Sequence, residues 1–322
     1  MLAYRLNMKG LTDVPGLLVG HATDTAALTG CTVVLCGTEC VGGVDIRGSA
    51  TGSVELHTLN PGHIAPNVHA IVLSGGSAFG LETTCGVRNL LEKRGIGFNA
   101  GITHVPIVPG AILFDLGIGS PHIRPNRDMG EKAALAANPG PVAEGNVGAG
   151  AGATVGKVMG MKTAMKSGLG TASVLLGNGT VVAAMVAVNA LGDVIDPQNG
   201  RIIAGARVSA QSRAFANSAA ILRHGQNPPP GGHTVIGIVA TNARLDRVQT
   251  NKLAALGSLG VARTISPINT MSDGDITFAL SLGKEKATVD EVGVAAADAM
   301  ATAVLRAVKS AKSAGGLPGL AG

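Results

Sequence analysis

Short apolar runs recur along the chain at Cys31 to Cys36, Val68 to Ser74, Thr171 to Leu176, Val181 to Asn189, Thr234 to Thr241 and Asp275 to Leu282. Their length and their content of β-branched residues predict strands. Asn178-Gly179 lies between the third and fourth runs and predicts a hairpin, because both residues tolerate the positive φ that a tight turn needs. At least part of the sheet is therefore antiparallel. Helical signals fall between the strands. Ala78 to Arg94 closes on Gly95 with Lys93 and Arg94 in its last turn, and Val208 to His224 closes on Gly225. The clearest helix opens at Thr288-Val289-Asp290-Glu291, a capping box, and carries a stripe of small residues at Val292, Ala296, Ala299, Ala303 and Ala307. Arg306, Lys309 and Lys312 complement its C-terminal dipole. The tail GGLPGLAG is expected to fray. Strands of both orientations with helices on their outer faces predict an α/β protein, either a layered α/β/β/α arrangement or an α+β sandwich. No polar linker divides the chain, so residues 1–322 are read as one domain.

Composition sharpens this picture. The 322 residues are 46% apolar, yet they include 48 Gly, one Tyr, five Phe and no Trp. Layers must then approach closely and pack on Ala, Val and backbone. The net charge is +5 with only 14% of residues charged, and the basic residues are scattered. Without clustered cations or aromatic platforms, a nucleic-acid groove is not expected. A low charged fraction favours subunits that cover one another, that is, a homo-oligomer. The four cysteines are separated by four, three and forty-four residues; this is no structural zinc spacing, and reduced, buried thiols are expected. The N-terminal segment MLAYRLNMKGLTDVPG has no sustained apolar core or cleavage site, and no run is long enough to span a membrane. The expected location is cytoplasmic, with no membrane partner.

Several motifs invite chemistry. GNVGAGAGATVGK, Gly145 to Lys157, resembles a phosphate loop, but the required first Gly is Ala151 and the residue after Lys157 is Val158 instead of Ser or Thr. Its useful residue is Lys157, a cation that a Gly-rich segment can bring against another backbone. In LSGGSAFGL, Phe79 stands where a nucleophile elbow needs Gly, so Ser77 is read as a helix cap. The histidines show no metal-binding spacing. Asp273-Gly274-Asp275 places two carboxylates on one face before a strand, either as an acidic turn or as receivers of an ammonium. Asn189 ends an almost unbroken apolar run, as a structural bridge or as an oxyanion donor. In PPPGGHTVIGIVATNA a Pro run and a Gly pair deliver Thr234 to the first position of a strand. The pattern suits an ordinary turn and strand; it also suits a nucleophile. If the bond between His233 and Thr234 breaks, Thr234 holds a free amine, of reference pKa about 7.7, beside its own hydroxyl, so one residue is both nucleophile and base.

Taken together, GLTDVPGLLVGHATD, TGCTVVLC, GVDIRGSATG, LSGGSAFGLE, VPIVPGAILFDLG, AEGNVGAGAGATVGK, AVNALGDVID, HTVIGIVATNA and MSDGDITFALSLG resemble, along nearly the whole chain, the P1 (S58) peptidases. That group contains L-aminopeptidase/D-esterase, β-peptidyl aminopeptidases and 6-aminohexanoate-oligomer hydrolase. The resemblance implies a four-layer α/β/β/α sandwich of the N-terminal-nucleophile-hydrolase type, a homo-oligomer with a tetramer expected, no cofactor, and self-cleavage into a large chain 1–233 and a small chain 234–322. By the same resemblance Thr234 is the nucleophile, Lys157 and Asn189 are active-site residues with Asn189 at the oxyanion hole, and Asp273 and Asp275 match the acidic pair of the nylon-oligomer hydrolase, where the family's aminopeptidases carry Ser and Glu. The substrate implied is a small amino-acyl amide or peptide. Two positions depart from the pattern: His233 precedes the cleaved bond where relatives have Asn or Gly, and the substrate-pocket residue Phe114 replaces a Tyr that serves the oxyanion. An acyl transferase of the ornithine-acetyltransferase type and an uncleaved binding or scaffold protein remain the alternatives.

Overall fold

The computed structural model describes residues 10–37, 39–225 and 232–322. The Pro run at 228–230, Gly231 and the first nine residues lie outside the described residues. Ten strands form two five-stranded sheets: β1 (Leu18–Asp24), β2 (Thr29–Leu35), β3 (Val41–Ile46), β4 (Ser53–Val54), β5 (Ala70–Ser74), β6 (Gly110–Ile112), β7 (Leu169–Leu175), β8 (Val181–Asn189), β9 (Thr234–Ala243) and β10 (Ile276–Glu285). The first sheet has the order β1-β2-β5-β6-β4 and the second β7-β8-β9-β10-β3. Only β5–β6 and β9–β10 pair in parallel; the other neighbours are antiparallel.

The strands are apolar on both faces because both faces are covered. On β8, Ala183, Met185 and Ala187 enter the core between the sheets, beside Ile236, Ile238, Phe278, Leu73 and Val34. Ala184, Val186 and Val188 point the other way, to a core shared with Val292, Ala296, Ala299 and Ala303. Each large, fully buried side chain such as Phe278 or Met185 contributes about 1.5–3 kcal/mol. The helices are α1 (Thr83–Lys93), α2 (Arg127–Leu135), α3 (Ser218–Arg223), α4 (Arg247–Thr264) and α5 (Val289–Lys309). α1 and α2 cover the first sheet through Val87, Leu91, Ala133 and Ala134, and α4 and α5 cover the second. The result is the expected α/β/β/α stack. A Cβ at Gly170 would overlap the Ala303 carbonyl of α5, so the Gly-rich, aromatic-poor composition reflects how closely helix and sheet approach.

Local signals held where they were self-contained. The 178–179 turn closes with Gly179 at φ 85°, and Thr288 and Glu291 form their capping box. Four expectations are corrected. The segment expected as a helix from Ala78 begins as a 3₁₀ turn, Ser77–Glu82, and Ser77 does not cap it; Gly76 is the N-cap and its N–H is taken at 2.7 Å by the distant Asp115 carboxylate. The helix expected over 208–224 shrinks to α3, because Asn217 adopts φ 62° and its own side chain caps Ala220 N–H, while Asp193 binds the N–H and the hydroxyl of Ser218. The tail is packed instead of frayed: Leu317 is buried with Ile118 and Ala164, and Pro318 O accepts from Lys166 N–H at 2.8 Å. The four thiols are free, but only Cys31 and Cys40 are buried, Cys36 and Cys85 being half-buried. The long α4 carries no apolar stripe in its sequence; its start at Asp246 with Gln249, a capping box, is its one local mark. Among the described residues no helix is long and apolar enough to cross a membrane.

Candidate active site

Strand register alone assembles most of the site. Thr234, the first residue of β9, faces Asn189, the last of β8. The parallel pairing of β9 with β10 extends backwards as a bridge between His233 and Asp273, which sets Asp273-Gly274-Asp275 beside the same strand end. Lys157 arrives from the Gly-rich segment, which docks through Gly156 N–H on Gly192 O and Lys157 N–H on Leu191 O, both 3.0 Å. Gly156 has φ 73° and a Cβ there would overlap the backbone at Gly205 and Ala206. Gly156→Ala is therefore expected to lower stability by about 3 kcal/mol or more, read as a drop in melting temperature, and to displace Lys157.

The hydroxyl of Thr234 donates to the carbonyl of His233 at 2.6 Å, and Gly274 N–H donates to that same oxygen at 2.9 Å. Asp275 accepts from Val235 N–H at 2.7 Å and Asn269 N–H at 3.1 Å. Asp273 accepts from Thr270 N–H at 2.7 Å through Oδ2, while its buried Oδ1 has no hydrogen-bond partner among the described residues. Lys157 Nζ donates to three oxygens: Asn189 Oδ1 at 2.7 Å, Asn189 O at 3.0 Å and Gly232 O at 2.5 Å. Asn189 Nδ2 donates to Gly232 O at 3.1 Å and Phe114 O at 2.9 Å. All the residues singled out in the sequence thus meet at one end of the second sheet. In the intact chain, however, Asn189 and Lys157 hold the carbonyl of Gly232, one residue before that of His233. Phe114 contributes its carbonyl to Asn189, and its ring lies 3.3 Å from where a Cβ on Gly232 would be.

Two residues here lie inside the quoted family motifs but were not singled out in the sequence. Thr154 donates to Asn189 Oδ1 through N–H at 3.1 Å and hydroxyl at 3.2 Å; with Lys157 on the same oxygen, the amide can face only one way. Asp115 lines the site with its carboxylate held by Thr29 and Gly76. A cavity of about 170 Å³ opens between Phe114, Ile118 and Met161 on one side and Lys157, Gly232 and His233 on the other.

Burial dominates the electrostatics. It pushes Asp275 up to about 7, helped by the neighbouring Asp273 carboxylate and opposed by the backbone N–H donors and Lys157. Asp273 is raised by burial and eased down by its bonds to Thr270 and by Lys157. Burial lowers Lys157 to about 7 against the pull of Asp273, Asp115 and Asp275. The site can therefore hold or release protons near neutrality, where general acid–base chemistry is most effective. A second buried amine lies behind it. Lys166 is fully buried and donates to Ser167 O, Ala153 O and Gly150 O at 2.5, 2.9 and 3.3 Å, and burial lowers it to about 7. A lysine whose pKa is lower folded than unfolded leaves the unfolded chain holding more protons, so stability rises as pH climbs from about 7 toward the ordinary lysine value. The urea midpoint is expected to increase between pH 7 and 9, and Lys166→Met to flatten that slope. An unchanged slope would mean that Lys166 is ordinary in its proton affinity.

Among the described residues no group of three or more His, Cys, Asp or Glu could hold a metal ion. The family model for Peptidase family S58 matches residues 9–321. An uncharacterized aminopeptidase of Mycobacterium leprae is 37% identical, with 99% of this chain and 95% of that protein covered. The 6-aminohexanoate-oligomer endohydrolase of a Kocuria species is 31% identical over 92% of this chain and 85% of its own length. The L-aminopeptidase D-Ala-esterase/amidase of Ochrobactrum anthropi, a variant of the Ntn hydrolase fold, superposes with a TM-score of 0.71 at 18% identity, covering 94% of this chain and 86% of that one, which is a likeness of fold. A family match along almost the entire length, relatives of more than 30% identity and the shared fold lead to one conclusion: this chain belongs to Peptidase family S58 and is a hydrolase of peptide-type amide bonds.

Proposed function

We propose that the chain is a self-processing amide hydrolase in which Thr234 cleaves its own bond to His233 and then serves as an N-terminal nucleophile on amino-acyl amides, peptides or oligomers. The observation that carries this reading is the hydroxyl of Thr234 at 2.6 Å from a His233 carbonyl oxygen that Gly274 N–H also holds. In maturation, the Thr234 Oγ bonds to the His233 carbonyl carbon, and the electron pair moves to an oxygen that already has an N–H donor. The C–N bond breaks, the Thr234 nitrogen keeps the proton that left the hydroxyl, and an ester remains. Water then adds to the ester, releasing a carboxylate on His233 and restoring the hydroxyl of Thr234 with a free amine. In turnover that amine accepts the hydroxyl proton and passes it to the leaving amine, with Asp273 Oδ1 available to the ammonium form. The substrate acyl group passes through a Thr234 ester that water resolves.

Sheet order supports survival of the cut. β9 and β10 follow the cleaved bond, but β8 and β3 flank them from the preceding part of the chain. Fragments 1–233 and 234–322 would share one sheet and stay together. Intact mass and N-terminal sequencing of the purified protein test the proposal: a new N-terminus at Thr234 supports it, and an active, uncut chain removes it.

A further inference from the structure

We infer that the turn from Ala314 to Leu317, beyond the end of α5, is a positioning element for the cavity beside His233: Gly315 and Leu317 set from behind where Ile118 and Met161 stand, and so how long an acyl side chain the cavity accepts. That the cavity takes an acyl side chain rests on Thr234 being the nucleophile, because the acyl residue of a substrate then occupies the place of His233, which lines this cavity with Gly232.

Ile118 and Met161 belong to the apolar wall of the cavity, and their backbones are held independently of the tail. Ile118 N–H donates to Asp115 O at 3.1 Å, and the Asp115 carboxylate is fixed by the Thr29 hydroxyl and Gly76 N–H. Arg207 grips the turn after Met161 through the carbonyls of Lys162, Thr163 and Ala164. The two side chains, by contrast, are backed by Leu317, which joins Leu28 and Ala164 in one apolar cluster with them and lies outside the lining of the cavity. The turn is itself pinned. Ala314 N–H donates to Leu317 O at 3.1 Å and Leu317 N–H to Ala314 O at 3.0 Å, Pro318 O accepts from Lys166 N–H at 2.8 Å, and Ala321 N–H donates to Ala311 O at 2.9 Å. Gly315 has φ 58°, and a Cβ there would lie 2.5 Å from Cγ1 of Ile118, closer than carbon atoms pack. The tail therefore presses on Ile118 without slack. If the chain is cut before Thr234, the turn and the wall lie on different fragments, and one fragment shapes the pocket of the other.

The test measures kcat/KM of the full chain on 2-amino-acyl p-nitroanilides whose straight side chains lengthen from methyl to hexyl, with mass and melting temperature recorded on each sample. Leu317→Ala leaves space into which Ile118 and Met161 retreat, so the preferred side chain should become longer. Gly315→Ala drives Ile118 toward the cavity, so it should become shorter. The ratio between members one methylene apart is expected to change about fourfold in each case, in opposite directions. Leu317→Met, nearly equal in volume, should keep the original order, whereas general damage would depress every member alike. If Leu317→Ala fails to fold, Gly315→Ala decides alone. A cleaved protein whose preferred length is unmoved by these variants, or that turns over no member of the series, overturns the positioning role and leaves the Thr234 reading standing. A chain that stays uncut removes that reading, and with it the assignment of the cavity to an acyl side chain.

Discussion

Thr234→Ala should yield one uncut chain with turnover reduced by about 10⁴-fold or more, where the unaltered protein is expected to separate under denaturing conditions into fragments of residues 1–233 and 234–322. The substitution removes the hydroxyl bonded to the His233 carbonyl, and with it both the proposed attacking oxygen and, for lack of cleavage, the proposed free amine. Its structural cost is small. The β-strand pairing of Thr234 with Asn189 is made by backbone, and the lost hydroxyl bond is worth about 1 kcal/mol. Melting temperature should therefore move by a few degrees at most while activity disappears. Denaturing electrophoresis, mass and hydrolysis of an amino-acyl p-nitroanilide read the three effects separately. Cleavage or turnover surviving in the Ala variant would defeat the assignment.

Asp275→Asn should reduce turnover about 100-fold in protein that remains folded. The carboxylate accepts two backbone N–H groups, from Val235 next to Thr234 and from Asn269. An Asn can accept one of these but turns an NH₂ toward the other, which costs about 1–3 kcal/mol. That is tolerable in a domain of this size. The larger loss is chemical: burial and Asp273 hold Asp275 at about 7, and the Asn variant can neither take up a proton there nor balance Lys157. Thermal melting paired with turnover, measured well below the melting temperature, distinguishes the two costs. Turnover that falls only in proportion to the folded fraction would make Asp275 a structural anchor for the start of β9.

The sequence by itself determined what depends on neighbours along the chain. Short apolar runs and β-branching marked the strands that end at Asn189 and begin at Thr234, Asn178-Gly179 marked its hairpin, and Thr288 with Glu291 marked the start of α5, because turns and caps are closed by residues two or three positions apart. It also carried the family motifs, and with them Lys157, Asn189, Thr234 and the acidic pair. What it could not determine are relations across the fold. The breakdown of the helix expected over 208–224 depends on Asp193 binding Ser218, and the packed tail depends on a pocket beside Ile118 and Ala164. Both partners are remote in sequence, so local propensity has no access to them. The same holds at the site. Which carbonyl Lys157 and Asn189 hold, and that Thr154 fixes the direction of the Asn189 amide, follow from the register of β8 against β9 and from the docking of Gly156 on Gly192. Side-chain hydrogen bonds of this kind are decided by distance in space and by burial, which only the folded arrangement of the two sheets supplies.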